Sequence, residues 1–137
     1  MNQKETGNLG EKIAEKFLKK KGYQILDKNY SNKFISGPQT GEIDIVAQKG
    51  DTISFIEVKT LISKSAKNSR SWIFYQNGFS PEEKVNYQKQ RKIIKTAEKW
   101  LIEKKIPLNS KWQIDVVSIK IDLNTKKAKI RHFKNIV

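Results

Sequence analysis

The sequence contains no cysteine and only one histidine, His132, among its 137 residues. The absence of cysteine excludes disulfide bonds and every metal site that is built on thiolates. A single imidazole also cannot supply the histidine cluster of a zinc site. Any metal that this protein binds must therefore be held by oxygen atoms.

Long hydrophobic runs are missing as well. The first residues, MNQKETGNLGEK, lack the apolar core of a signal peptide. No run approaches the roughly 20 apolar residues that are needed to cross a bilayer. We therefore expect a cytoplasmic protein without membrane segments. The length is that of one domain, so residues 1–137 are predicted to form a single domain.

Acidic residues are scarce relative to basic ones. Lys and Arg number 28 against 14 Asp and Glu, which gives a net charge of +14. So large an excess on so short a chain indicates a polyanionic partner, and nucleic acid is the leading candidate. The alternative is that the lysines only form a solvated surface. A membrane surface is a less suitable partner, because no helix has a basic and aromatic amphipathic pattern with a large apolar face.

Two helices are predicted from apolar residues at helical spacing. The first runs from about 8 to 21, and Gly22 follows it as a C-terminal cap. The second begins at a Ser80 cap and continues to about 104.

The remaining apolar runs alternate as strands do. They are predicted as five strands at about 24–29, 42–48, 51–59, 112–121 and 128–133. A Gly50-Asp51 turn should join the second and third strands into a hairpin. The run at 112–121 is apolar on both faces, which predicts a central strand.

The predicted hairpin, GEIDIVAQKGDTISFIEVKT, gathers acids in an otherwise basic chain. Residues two apart on a strand share a face, so Glu57 and Lys59 point the same way. If the turn contains an even number of residues, Asp44 lies on that face as well and can oppose Glu57. With an odd turn the two carboxylates would point to opposite faces.

Two carboxylates held close together repel each other unless a hard cation lies between them. Asp44 and Glu57 are therefore predicted to bind Mg²⁺ or Mn²⁺, with water and phosphate as further ligands. Lys59 would orient the attacking water or stabilise the developing negative charge. Such a site hydrolyses phosphodiesters, and the basic surface around it would hold a nucleic acid.

The spacing of Asp44 and Glu57-Val58-Lys59 resembles the PD-(D/E)xK motif of restriction-endonuclease-like nucleases. A wider set of short motifs is similar to the YraN-type family of uncharacterised bacterial proteins. These motifs are Gly7, Gly10-Glu11, Gly22-Tyr23, Asn29, GEIDIV at 41–46, FIEVK at 55–59, Lys89-Gln90-Arg91, Ala97 with Leu101, and DVV at 115–117. The resemblance runs through nearly the whole chain.

This resemblance implies an α/β restriction-endonuclease-like fold, in which helices flank a central mixed β-sheet in three layers. It also implies a relation to Holliday junction resolvases, a bacterial cytoplasmic setting, and a DNA substrate, with branched or damaged DNA as candidates. By the resolvase pattern, Glu11 becomes a further metal ligand. A homodimer is one option, because resolvase-like relatives that cut symmetric junctions are dimers.

Several acids near the site have structural alternatives. Glu11 has capping-box spacing from Asn8 and could cap the first helix instead of binding metal. Glu42 could be a second acid of the site, but the solvated end of its strand is favoured. Asp115 is predicted to be a structural acid paired with a basic residue such as Arg91, not a metal ligand.

Basic side chains that follow the site in sequence are predicted to bind nucleic acid; they are Arg70, Lys84, Lys89, Arg91 and Lys92. Arg70 belongs to the segment 60–79, which mixes basic and aromatic residues that could stack on bases. Alternatively, that segment is a self-packed loop or a dimer contact, and the helix lysines only form its wet face.

The main hypothesis is therefore a metal-dependent nuclease that acts on DNA. One alternative is a non-catalytic nucleic-acid-binding protein of the same fold. Another is a basic adaptor that binds a protein partner.

Overall fold

The computed structural model describes residues 2–31, 41–63, 72–74 and 87–136. The elements in chain order are α1 (Gln3–Lys20), β1 (Gln24–Ser31), β2 (Glu42–Lys49), β3 (Thr52–Ser63), β4 (Trp72–Phe74), α2 (Tyr87–Glu103), β5 (Trp112–Asp122) and β6 (Lys127–Phe133). Both predicted helices and all five predicted strands are confirmed, with shifts at several of their ends. The short strand β4 was not predicted.

All the strands belong to one mixed sheet. Its order is β1-β2-β3-β5-β6, and β4 pairs with the end of β3. Strands β3 and β5 are parallel, whereas every other pair is antiparallel. Strand β5 lies between two neighbours, so the predicted central strand is confirmed. An α/β architecture with a central mixed sheet is therefore established.

The two helices cover opposite faces of the sheet. Leu18 of α1 lies in one buried cluster with Val117, whereas Trp100 of α2 lies in another with Phe55 and Val116. Because Val116 and Val117 are consecutive on β5, their side chains point to opposite faces. In the part of the chain that the structure describes, neither helix is long and apolar enough to cross a membrane.

Helix α1 begins earlier than predicted. Asn2 is its N-terminal cap, and the Asn2 side chain accepts a hydrogen bond of 2.8 Å from the Glu5 amide. Asn8 and Glu11 consequently lie inside the helix, where amides already have helical partners. The capping-box alternative for Glu11 is therefore wrong. Its side chain is available for a different role.

The segment predicted as a loop at 60–79 contains regular structure at two places. Strand β3 continues to Ser63, because residues 61–63 pair with β4 on one side and with β5 on the other. The loop prediction is wrong for these residues. Arg70, Lys84 and the Ser80 cap lie outside the described residues, as does most of the proposed dimer contact.

Candidate functional site

A two-residue turn, Gly50-Asp51, joins β2 to β3 as predicted. Gly50 has φ of +62°, which a glycine adopts without strain. The antiparallel ladder runs from this turn to the pair Ile45 and Ile56. The pair Lys49 and Thr52 closes the turn, so the predicted even turn is confirmed, but the ladder ends before it reaches Asp44 and Glu57.

The ladder stops just before Asp44. The Asp44 carboxylate accepts a hydrogen bond of 2.8 Å from the Val58 amide. The alternation of β2 also breaks here, because Ile43 and Val46, three residues apart, both belong to the cluster on the α2 face. The Asp44 side chain therefore continues the hydrogen bonding where the backbone ladder ends.

Glu11 approaches Asp44 from α1. The two carboxyl groups are close enough for each to affect the pKa of the other. They line a cleft of about 210 Å³ together with Asn8, Lys12, Glu15, Lys28, Asn29 and Ile45. Asn29 lines this cleft although no spacing in the sequence predicts it as a site residue, and it has φ of +52° within β1. An asparagine that interrupts a strand pattern is the signal that could have marked it.

Two glycines allow the helices to lie close to the site. A Cβ atom on Gly10 would overlap the Thr60 hydroxyl, so glycine brings α1 against β3 one residue before Glu11. A Cβ atom on Gly41 would overlap the Thr96 side chain and lie 2.8 Å from the Lys92 carbonyl oxygen. Gly41 thus lets α2 pack against the start of β2.

Burial raises the pKa of Asp44 to about 7. The Val58 amide opposes this shift, while the neighbouring carboxylates of Glu11, Glu57 and Glu42 add to it. Burial also raises the pKa of Glu11. Ionising this pair is therefore unfavourable unless a positive charge lies nearby.

Glu57 lies on the α2 face between two lysines. Its Oε1 is 3.1 Å from Lys59 Nζ and 2.6 Å from Lys89 Nζ. Within the described part of the chain, the buried Oε2 atom has no hydrogen-bond partner. The sequence predicts that Lys89 binds nucleic acid. It does not predict the contact between Lys89 and Glu57, because these residues belong to elements that are distant in the chain.

The two lysines differ in their surroundings. Lys59 is buried, and this burial lowers its pKa to about 8, against the opposing effect of Glu57. Burial also tends to lower the pKa of Lys89, but the Glu57 carboxylate more than offsets it, so the pKa is raised. Lys59 thus provides a buried ammonium group next to the acids.

The ligand atoms of these acids are carboxylate oxygens, which hard divalent cations prefer. Glu11, Asp44 and Glu57 supply carboxylate oxygens, and the Glu57 Oε2 atom has unused acceptor capacity. However, among residues 2–31, 41–63 and 87–136, no three His, Asp or Glu side chains are grouped closely enough to hold a metal ion. Any such ion would therefore need water or phosphate as further ligands.

Three further residues from the sequence predictions, Glu42, Arg91 and Lys92, differ in their exposure to solvent. Glu42 is exposed, which confirms the solvated strand end. Arg91 is exposed on α2, and Lys92 is half-buried beside Gly41.

Asp115 is a structural acid as predicted, but its predicted partner is wrong. Its Oδ2 lies 2.8 Å from His132 Nε2, while its Oδ1 accepts hydrogen bonds from Gln113 and from the Asn135 amide. Arg91 cannot reach it, because Asp115 shares the sheet face of Val117, which α1 covers.

Known proteins resemble this chain along most of its length. The family model described as "Uncharacterised protein family UPF0102" matches residues 10–119. The chain belongs to the UPF0102 family. This confirms the YraN-type resemblance of the motifs.

Several UPF0102 proteins illustrate the extent of the similarity. One from Alkaliphilus oremlandii is 38% identical over 135 residues, 98% of either chain. One from Clostridium tetani is 44% identical over 103 residues, 75% of this chain and 70% of the relative. A third, from Campylobacter jejuni subsp. jejuni, is 39% identical over 117 residues, 85% of either chain. These UPF0102 proteins carry no described activity in their names.

Proposed function

We propose that this protein is a metal-dependent nuclease of the restriction-endonuclease-like fold that hydrolyses DNA phosphodiesters. Asp44, Glu57 and Glu11 would hold Mg²⁺ or Mn²⁺, and Lys59 would act on the attacking water or the scissile phosphate. Branched or damaged DNA is the proposed substrate class, by analogy with resolvases of the same predicted fold.

The observation that supports this proposal is the convergence of acids at the end of the β2–β3 ladder. Glu11 arrives from α1, Asp44 lies where the ladder stops, and Glu57 faces α2. In a chain with a net charge of +14, burial nevertheless raises the pKa values of Asp44 and Glu11 and so disfavours their charged forms. Buried acids with raised pKa values are found preferentially at functional sites.

The chain's own residues would divide the work. The Val58 amide holds one Asp44 oxygen, which fixes the direction of the carboxylate. The buried Lys59 ammonium group can donate hydrogen bonds to a phosphate oxygen or to the attacking water. When bound, the divalent cation would lower the pKa of a coordinated water and neutralise phosphate charge.

The proposal is tested by calorimetric titration of Mn²⁺ and by cleavage of linear, nicked and four-way DNA. Asp44→Asn and Glu57→Gln should each lose Mn²⁺ binding and cleavage. The control is Asp51→Asn, because Asp51 is an exposed acid of the same hairpin, paired with Lys111. Cleavage that persists in Glu57→Gln after repeated purification would contradict the catalytic assignment.

One observation favours a second function, non-catalytic binding of nucleic acid. Both lysine contacts of Glu57 go to the same oxygen, so two ammonium groups already compensate the charge of this acid. In this case wild-type protein would bind DNA without any cleavage in Mg²⁺ or Mn²⁺. Affinity that falls steeply with salt would separate it from an adaptor for protein partners.

A further inference from the structure

A row of paired residues leads from the candidate site across the sheet. Lys59 on β3 pairs with Ser118 on β5, which in turn pairs with Arg131 on β6. Directly paired residues of neighbouring strands point to the same face. Arg131 therefore shares the face of Lys59, two strands away, at a Cα distance of about 10 Å for ordinary strand spacing.

The next row in the same direction is also basic. Leu61 pairs with Lys120, and Lys120 pairs with Lys129. In the row after that, Asp122 of β5 pairs with Lys127 of β6. We call Lys120, Lys127, Lys129 and Arg131 the β5–β6 basic surface.

The charge of this hairpin is concentrated. Residues 120–134 contain six Lys or Arg and one acid, a net charge of +5 within a chain of net +14. The acid, Asp122, accepts hydrogen bonds from the Asn124 and Thr125 amides, so it is engaged in stabilising the turn. Its charge offsets only part of the positive potential.

The β5–β6 basic surface lies next to the buried cluster that packs under α2. The row before Lys59 contains Glu57, Val116 and Phe133, and the last two pack in the α2 cluster. One step further, Arg131 is exposed, and its guanidinium group lies 4.9 Å from the centre of the Phe133 ring. Lys127 and Lys129 are exposed as well.

We propose that the β5–β6 basic surface binds the phosphate backbone of the DNA that enters the site. This inference rests on the proposed function, because it takes DNA as the substrate. Helix α2 supplies Lys89 at Glu57, and the β5–β6 hairpin supplies positive charge two strands away on the same face of the sheet. Phosphates on both sides of a bound scissile bond would then meet basic side chains, which positions the backbone without reading its sequence.

The test is DNA binding measured by fluorescence anisotropy with a labelled short duplex in EDTA, across a salt series. The variant is Lys129→Ala/Arg131→Ala. The control is Lys16→Ala/Lys20→Ala, which removes the same charge from exposed positions of α1 on the opposite face of the sheet. Thermal unfolding establishes that both variants are folded.

The hairpin variant should bind duplexes of every sequence more weakly. The slope of log affinity against log salt should become shallower by about 2, since each lost phosphate contact removes about 0.9. The control should keep the wild-type slope. Arg131→Lys should retain binding close to wild type, because it keeps the charge.

Equal losses in the two double variants would overturn the inference, because the effect would then reflect net charge alone. An unchanged hairpin variant would overturn it too. Both results leave the proposed nuclease intact. Absence of salt-dependent binding by wild-type protein would instead overturn the inference and the DNA-directed function together. The binding is measured in EDTA, so the result does not depend on whether the protein binds a metal ion.

Discussion

The Asp44 carboxylate accepts a hydrogen bond of 2.8 Å from the Val58 amide at the end of the β2–β3 ladder. One carboxylate therefore serves the sheet and the candidate site at the same time. Its burial and the neighbouring acids raise its pKa to about 7, so its ionised form is unfavourable in the folded protein. Replacing Asp44 by asparagine should consequently stabilise the metal-free protein but abolish the proposed metal binding.

The first prediction concerns the stability of Asp44→Asn without metal. A raised folded-state pKa means that the stabilising effect of the proton is fully present below the unfolded pKa of 3.8 and is lost as the pH rises through about 7. Asparagine cannot ionise and can still accept the Val58 hydrogen bond. In EDTA the variant should gain stability relative to wild type as the pH rises from 5 to 8, by at most about 3 kcal/mol, since about two pH units of the titration lie in this range.

Urea unfolding at several pH values measures this difference. Asp51→Asn is the matched control, because Asp51 is exposed and Lys111 lowers its pKa. Its difference from wild type should not grow in favour of the variant over this range. A stability difference for Asp44→Asn that is independent of pH would contradict the raised pKa.

The second prediction compares two glycines of α1. A methyl group on Gly10 would overlap the Thr60 hydroxyl, whereas a methyl group on Gly7 has no neighbour within 4 Å. Gly10→Ala should therefore destabilise the protein by about 1 to 3 kcal/mol through overpacking. Gly7→Ala should be neutral or stabilising by up to about 1 kcal/mol, because alanine favours the helix.

Gly10→Ala and Gly7→Ala also test whether the packing at Gly10 positions the site as well as stabilising the fold. Gly10→Ala should also weaken Mn²⁺ binding, because a displaced α1 moves Glu11 away from Asp44. Thermal unfolding and calorimetry measure the two effects. Equal behaviour of the two alanine variants would show that close packing at Gly10 is unimportant.

The sequence was sufficient to predict features that depend on local periodicity. The Gly50-Asp51 turn sets the register of the hairpin, so the pairing of β2 with β3 as far as Ile45 and Ile56 follows from counting residues. The doubly apolar run of β5 likewise predicted a strand with neighbours on both sides.

Features that depend on tertiary contacts could not be predicted in the same way. The break in alternation beside Asp44 coincides with a hydrogen bond from the Val58 amide of another strand. The contact between Lys89 and Glu57 joins α2 to β3, and no spacing in the sequence distinguishes Lys89 from the other lysines of the helix. Helix α1 started early because Asn2 caps it, although the apolar pattern begins later.

The third prediction concerns the buried pair of Asp115 and His132. Their side chains meet at 2.8 Å on the α1 face, away from the candidate site. His132→Ala should destabilise the protein by about 2 kcal/mol or more, because a buried acceptor loses a partner. In a double-mutant cycle with Asp115→Asn, the coupling energy should reach about 1 kcal/mol, and Mn²⁺ binding should be unchanged.

Lys134→Ala is the control for this pair, because Lys134 is exposed two residues from His132. It should leave the unfolding free energy within about 0.5 kcal/mol of wild type. Additive effects of Asp115→Asn and His132→Ala would mean that the contact contributes nothing specific.

The fourth prediction separates the role of Lys59 from that of the acids. Lys59→Met keeps an apolar chain of similar length but removes the buried ammonium group that contacts Glu57. DNA cleavage should fall by about 100-fold to 1,000-fold in kcat, the usual cost of losing one charge-stabilising donor. Mn²⁺ binding should persist, because the carboxylates remain and a competing positive charge is gone. Lys95→Met, at an exposed position of α2, should retain wild-type cleavage. If Lys59→Met instead lost Mn²⁺ binding while remaining folded, Lys59 would be organising Glu57 and not acting on the water or the phosphate.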